Sequence, residues 1–135
     1  MATYREVLEV TFIAGADLSA NRFAAVRLDS TTGRVVLAGA NERALGILQN
    51  TPAAGQPATV MIYGISKAVA AGPITAGSPV ICAANGRVQA AGTFHNHGAS
   101  SSNPPTGQQR ILGFALTGAT ATGQVIEVLL APFEF

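Results

Sequence analysis

Along this chain short apolar runs alternate with Gly-, Asn- or Pro-containing turns, and no window sets apolar residues at i, i+3, i+4 and i+7 behind a helix cap. That rhythm predicts an all-β protein, a small barrel or sandwich. The runs place strands at Val7–Ile13, Phe23–Asp29, Val35–Ala38, Leu45–Leu48, Thr59–Ile65, Ala68–Ala70, Pro79–Ala83, Val88–Ala90, Ile111–Ala115 and Val125–Leu130. Turns are expected at Thr31-Thr32-Gly33, Ala54-Gly55-Gln56, Ala76-Gly77, Asn85-Gly86 and Thr122-Gly123-Gln124. Asn85-Gly86 is the strongest of them, since both residues tolerate the positive φ of a type I′ hairpin.

The pattern also repeats in order. Leu18-Ser-Ala-Asn21 before Phe23–Leu28 parallels Ile74-Thr-Ala-Gly77 before Pro79–Ala83, and Gly33-Arg34-Val35 parallels Gly86-Arg87-Val88. Ala44-Leu45-Gly46-Ile47 parallels Ile111-Leu112-Gly113-Phe114. Ala54-Gly55-Gln56 leading to Val60-Met61-Ile62 parallels Thr122-Gly123-Gln124 leading to Val128-Leu129-Leu130. One reading is a pseudo-duplication within a single domain (1–135), with sub-units 14–65 and 72–132, each too small to bury its apolar side alone. The other is plain reuse of a strand, an Ala-Gly turn and a strand.

Residues 93–109 break the rhythm, reading Thr-Phe-His-Asn-His-Gly-Ala-Ser-Ser-Ser-Asn-Pro-Pro-Thr-Gly-Gln-Gln where the first unit has only Leu37–Glu42. Such a Ser/Asn/Pro/Gly loop cannot join a ladder and is expected to project from the body. It carries both histidines, His95 and His97. A His-x-His pair supplies two metal ligands, but zinc needs a third and usually a fourth, and no carboxylate lies nearby in sequence. The imidazoles therefore read as exposed loop residues, and no metal or cofactor is expected.

Charge narrows the function classes. Only 11% of residues are charged while 48% are hydrophobic, so Thr, Ser, Asn, Gln and Gly must supply the polar surface, or a partner must cover part of it. A net charge of +1, with Lys67 the only lysine and seven scattered arginines, argues against nucleic acid, which calls for clustered cations. No stretch is long and apolar enough to span a bilayer, and the opening residues lack a signal-peptide pattern. A single cysteine, Cys82, makes no internal disulfide. These features suggest a protein made and used in the cytoplasm.

Catalysis finds no foothold. Asp17, Asp29, Glu6, Glu9, Glu42, Glu127 and Glu134 form no close pair suited to acid–base work, and Asp29 beside Ser30-Thr31-Thr32-Gly33 reads as a turn cap. Cys82, inside Val80-Ile81-Cys82-Ala83, reads as a small core residue. The two ends say more. Residues 1–9 suit an extended arm able to add a strand to a neighbour's sheet, with Tyr4, Arg5 and Glu6 as contact residues; an ordinary first strand is the alternative. Phe133 and Phe135 follow Pro132, which is expected to stop the last strand, and suit a subunit interface.

Several of these segments resemble a known family. They are Ala-Asp-Leu-Ser-Ala-Asn-Arg-Phe-Ala-Ala-Val-Arg-Leu (16–28), Arg-Ala-Leu-Gly-Ile-Leu-Gln-Asn (43–50), Ile-Thr-Ala-Gly-Ser-Pro-Val (74–80), Asn-Gly-Arg-Val (85–88) and Ile-Leu-Gly-Phe-Ala-Leu (111–116). In that order they are similar to the capsid decoration, or cement, proteins of tailed bacteriophages, a family formerly catalogued as a domain of unknown function. The 93–109 loop departs from the family's compact pattern. The resemblance implies a structural virion protein without catalytic residues: a β-rich protomer, commonly a homotrimer, on the outer surface of the mature capsid, where it binds major capsid protein and stabilises the shell. A small ligand- or carbohydrate-binding β module of a phage tail or host-recognition structure is the alternative, and the absence of Trp counts against it.

Overall fold

The computed structural model describes residues 7–92 and 110–134. Among the described residues the ten expected strands appear as nine: β1 (Leu8–Ile13), β2 (Ala25–Leu28), β3 (Val35–Leu37), β4 (Gly46–Leu48), β5 (Pro57–Val69), β6 (Pro79–Cys82), β7 (Val88–Ala90), β8 (Arg110–Ala115) and β9 (Val125–Glu134). Every ladder is antiparallel, in a curled sheet of order β3-β2-β4-β5-β9-β8-β6-β7 with β1 also paired to β5. The fold is all-β, as the alternation of runs and turns predicts.

The wiring is written twice. The first half runs β3-β2-β4-β5-β1 and the second β7-β6-β8-β9-β5. Registers match residue for residue: Val26 faces Gly46 as Val80 faces Gly113, and Leu48 faces Val60 as Ala115 faces Val128. Parallel bridges join Ala14 to Val35 and Ala70 to Val88. Gln56 Oε1 accepts the Ala53 amide (2.9 Å), and Gln124 Oε1 accepts that of Thr120 (2.7 Å), so the two Gly-Gln turns are capped alike. Gly46 and Gly113 are demanded by close approach: a Cβ on either would run into the backbone carbonyl of Met61 or Leu129.

Three local expectations are corrected. Thr59–Ile65 and Ala68–Ala70 are one strand, because Gly64 takes φ 122° within β5 and the chain continues as the partner of β9. Pro132 does not stop β9. It falls at a register shift, where Ile111 pairs Phe133 and Gly113 pairs Leu130, so the missing N–H is absorbed at a bulge. The repeat match of Asn21 to Gly77 is displaced: the Phe23 amide bonds Leu48 O as the Gly77 amide bonds Ala115 O. Phe23 and Gly77 share left-handed backbone (φ 67° and 89°), and the connection before Phe23 is correspondingly longer. The Asn85-Gly86 turn has the expected positive φ at both residues, 61° and 72°.

The two halves bury matching residues. Ala14, Leu18, Val26, Val35, Leu48, Ala58 and Val60 form one core, and Ala70, Ile74, Val80, Val88, Ala115, Ile126 and Val128 repeat it in the other. The second core also takes in Ala25, Ile47 and Met61, from the opposite face of the first half's strands. Size explains the asymmetry. Where the first half has Phe12 and Leu48, the second has Ala68 and Ala115, leaving volume that close packing must fill.

Polar contacts fix the seam between halves. The Asn41 amide donates to Cys82 O (2.8 Å), Asn41 Oδ1 accepts the Arg110 amide (3.2 Å), and Asn41 O accepts Arg110 Nη1 (3.1 Å). Gln49 Nε2 donates to the hydroxyl of buried Ser66 (2.9 Å).

Candidate interaction surface

Directly opposed residues of antiparallel strands project from the same face of a sheet. In the first half such a row runs Glu9–Met61–Ile47–Ala25 across β1, β5, β4 and β2. In the second half the matching row runs Ile65–Leu129–Phe114–Pro79 across β5, β9, β8 and β6. The first row lies against the second half and is buried at Met61, Ile47 and Ala25. The second is open: Ile65 is 53% exposed, Leu129 36%, and Phe114 and Pro79 are half-buried. Val125, 55% exposed, and Leu116 extend the apolar surface. Lys67 and Glu127, paired across β5 and β9 two residues from Ile65 and Leu129, border the row with opposite charges.

The first half carries a more polar concavity of about 820 Å³, lined by Arg27, Leu28, Ala40–Leu45 and Arg110. Arg27 Nε lies 2.7 Å from Glu42 Oε2 without hydrogen-bond alignment, and Glu42 Oε1 accepts the Gly39 amide (3.1 Å). Both side chains of the ion pair are well exposed, so it contributes little stability. The lining contains no aromatic ring on which a sugar would stack.

Cys82 is buried in the second core, and desolvation, with the Glu42 charge second, pushes its thiol up to about 12. A thiol so hard to ionise is a poor nucleophile. Asp29 caps its turn, with Oδ1 accepting the Thr31 amide (2.9 Å). Asp17 does the same for Ser19 (3.1 Å), whose hydroxyl and amide hold the carboxyl below its usual value. Among the described residues no group of three His, Cys, Asp or Glu side chains converges, and no helix is long and apolar enough to cross a membrane.

Tyr4, Arg5, Glu6, His95, His97 and Phe135 lie outside the described residues, as do the loop 93–109 and most of the arm. Leu8 and Glu9 are in β1, facing Tyr63 and Met61, and Phe133 is in β9 opposite Ile111. The open row was not singled out from the sequence. Its signal was the repeat, which sets Leu129 and Phe114 on the positions of Met61 and Ile47.

The fold has a solved counterpart. The N-terminal base of head fibre protein gp8.5 of bacteriophage phi29 superposes with a TM-score of 0.62 at 15% identity, over 96% of this chain and 98% of that one. No curated protein matches the chain. The family model for phage cement proteins matches residues 2–130. The chain belongs to the phage cement protein family and is a structural protein of the phage virion.

Proposed function

We propose that this chain decorates the outer surface of a mature phage capsid and stabilises it by binding major capsid protein as an oligomer, most simply a homotrimer, without catalysing any reaction. Family membership across residues 2–130 carries the reading, and the uncovered apolar row supports it. Binding the mature shell and not its precursor stabilises the mature state by mass action, and several copies held together multiply modest single contacts. In this reading Tyr4, Arg5 and Glu6 grip the shell, while Phe133 and Phe135 join protomers.

The test is occupancy. Intact protein and a variant lacking Ala2–Glu6 are incubated with undecorated mature capsids and with precursor shells, and bound copies are counted. Intact protein should saturate mature capsids alone and raise the temperature at which they rupture. The truncated form should bind more weakly while melting, free in solution, as the intact form does. Failure of intact protein to bind at any maturation stage removes the proposal.

A further inference from the structure

We propose that the concavity walled by Arg27, Arg43 and Arg110 seats an acidic peptide segment, a Glu or Asp side chain between apolar neighbours, presented by the surface to which this chain attaches. The inference gives the attachment reading above its chemistry and rests on it for the partner.

The fold gathers what the sequence scatters. Three of the seven arginines, from β2, the connection between β3 and β4, and the start of β8, line one recess of about 820 Å³, a size usual for ligand pockets. Glu42 is the single carboxylate among its described lining residues, set against three guanidinium groups, so the recess is positive in a chain whose whole net charge is only +1. A concave wall of one sign focuses its field on whatever enters.

The wall is also set in advance. Asn41, in left-handed backbone (φ 53°), donates its amide to Cys82 O. Its Oδ1 accepts the Arg110 amide and its carbonyl accepts Arg110 Nη1, which fixes that guanidinium at the recess. Glu42 is tethered through Oε1 to the Gly39 amide, and its other oxygen meets Arg27 Nε at 2.7 Å without alignment, leaving that donor's hydrogen bond unmade. Arg27 therefore loses little by swinging toward a second carboxylate, which its planar fork can hold through two bonds.

Charge and lining together choose the occupant. Glu42 opposes a doubly charged phosphate, and a nucleic-acid strand needs a cationic track that a net charge of +1 does not supply. Leu28, 43% exposed, and Leu45 line the recess beside the arginines, so an apolar residue next to the acid has a surface to lie on. A peptide carboxylate meets both demands.

The experiment titrates the full-length, nitrogen-15-labelled protein with the blocked peptide Gly-Leu-Glu-Leu-Gly, following the arginine Nε–Hε signals by NMR. Those of Arg27, Arg43 and Arg110 should shift, with a Kd of about 1 mM that weakens as salt is added. Those of Arg34 and Arg87, exposed and outside the recess, should stay. The same peptide with Gln in place of Glu should shift none. Arg43→Gln, at an exposed position, should weaken both peptide and capsid binding by about tenfold, and Arg27→Gln repeats the test on β2.

Absence of shifts, or equal shifts with the Gln peptide, overturns the site and leaves the cement reading standing. Tighter binding of inorganic phosphate or a short oligothymidylate overturns it in favour of a phosphate ligand. A peptide that binds only after deletion of Ala2–Glu6 overturns it in favour of the chain's own arm. Capsid occupancy unchanged by Arg43→Gln and Arg27→Gln overturns the shell as the source of the acid. Peptide binding by a protein that binds no capsid would uphold the recess and sink the cement reading alone.

Discussion

Met61 and Leu129 hold the same place in the two halves, opposite Ile47 and Phe114 respectively, yet one is 7% exposed and the other 36%. Nothing in their own strands makes the difference. Val60 and Val128, their inward-facing neighbours, are both fully buried. What differs is the layer behind them: the first half has the second packed on its back, and among the described residues nothing packs likewise on the second. A doubled β unit therefore solves its burial problem once and restates it at its outer end. Such an end can be made polar or be covered by a partner, and here Ile65, Leu129 and Phe114 are apolar.

The largest effect should come where the halves are most alike. Gly46→Val and Gly113→Val each drive a side chain into a facing carbonyl on β5 or β9, so both should destabilise by about 3 kcal/mol, the upper end of overpacking costs. Thermal denaturation of the two variants checks this, and a tolerated substitution at one site would break the equivalence there. Next comes the contrast itself. Met61→Ala opens a cavity in the second core and should cost about 3 kcal/mol. Leu129→Ala, measured at concentrations too low for association, should cost about 1 kcal/mol because its side chain begins partly in water. Equal losses would mean that the second row is covered within a single chain.

The smallest effect at neutral pH concerns a second matched pair. Cys82 faces Val88 as Leu28 faces Val35, yet Cys82 is buried and Leu28 exposed. Leu28→Cys should react with a thiol reagent within the mixing time, while native Cys82 reacts only as fast as the protein unfolds. The Cys82 pKa rises from 9.0 to about 12, so the folded state holds its proton where the unfolded state releases it. The thiol's contribution to stability should thus be flat below pH 9 and fall between pH 9 and about 12. Cys82→Ala should flatten that fall, and an unchanged slope would exclude the thiol as its source.

Much of the fold is legible in the residues because turns and close approaches demand particular ones. Gly46 and Gly113, Gly55-Gln56 and Gly123-Gln124, and Val35 and Val88 all mark true equivalences, since each does the same geometric work twice. The misread places are those where tertiary context overrides a local rule. Gly64 and Pro132 look like breaks, but β9 and a bulge absorb them. Asn21 looks like the mate of Gly77, but Phe23 adopts the left-handed backbone instead. The uncovered row was hidden for another reason. Alternation reports which residues are apolar, and a strand buried on both faces, such as Gly46-Ile47-Leu48, differs in pattern from one buried on a single face only if evolution has made the outer side polar.

The shared strand has a consequence of its own. β5 gives residues 57–63 to β1 and residues 64–69 to β9, so one continuous stretch of backbone is the spine of both halves. A nick at Gly64 would remove the covalent link between the halves while leaving residues 57–63 on β1 and β4 and residues 64–69 on β9. Tension along β5 is also resisted in shear, because its ladder bonds run across the strand and must yield together and not one by one. The strand common to both halves therefore couples them mechanically as well as covalently.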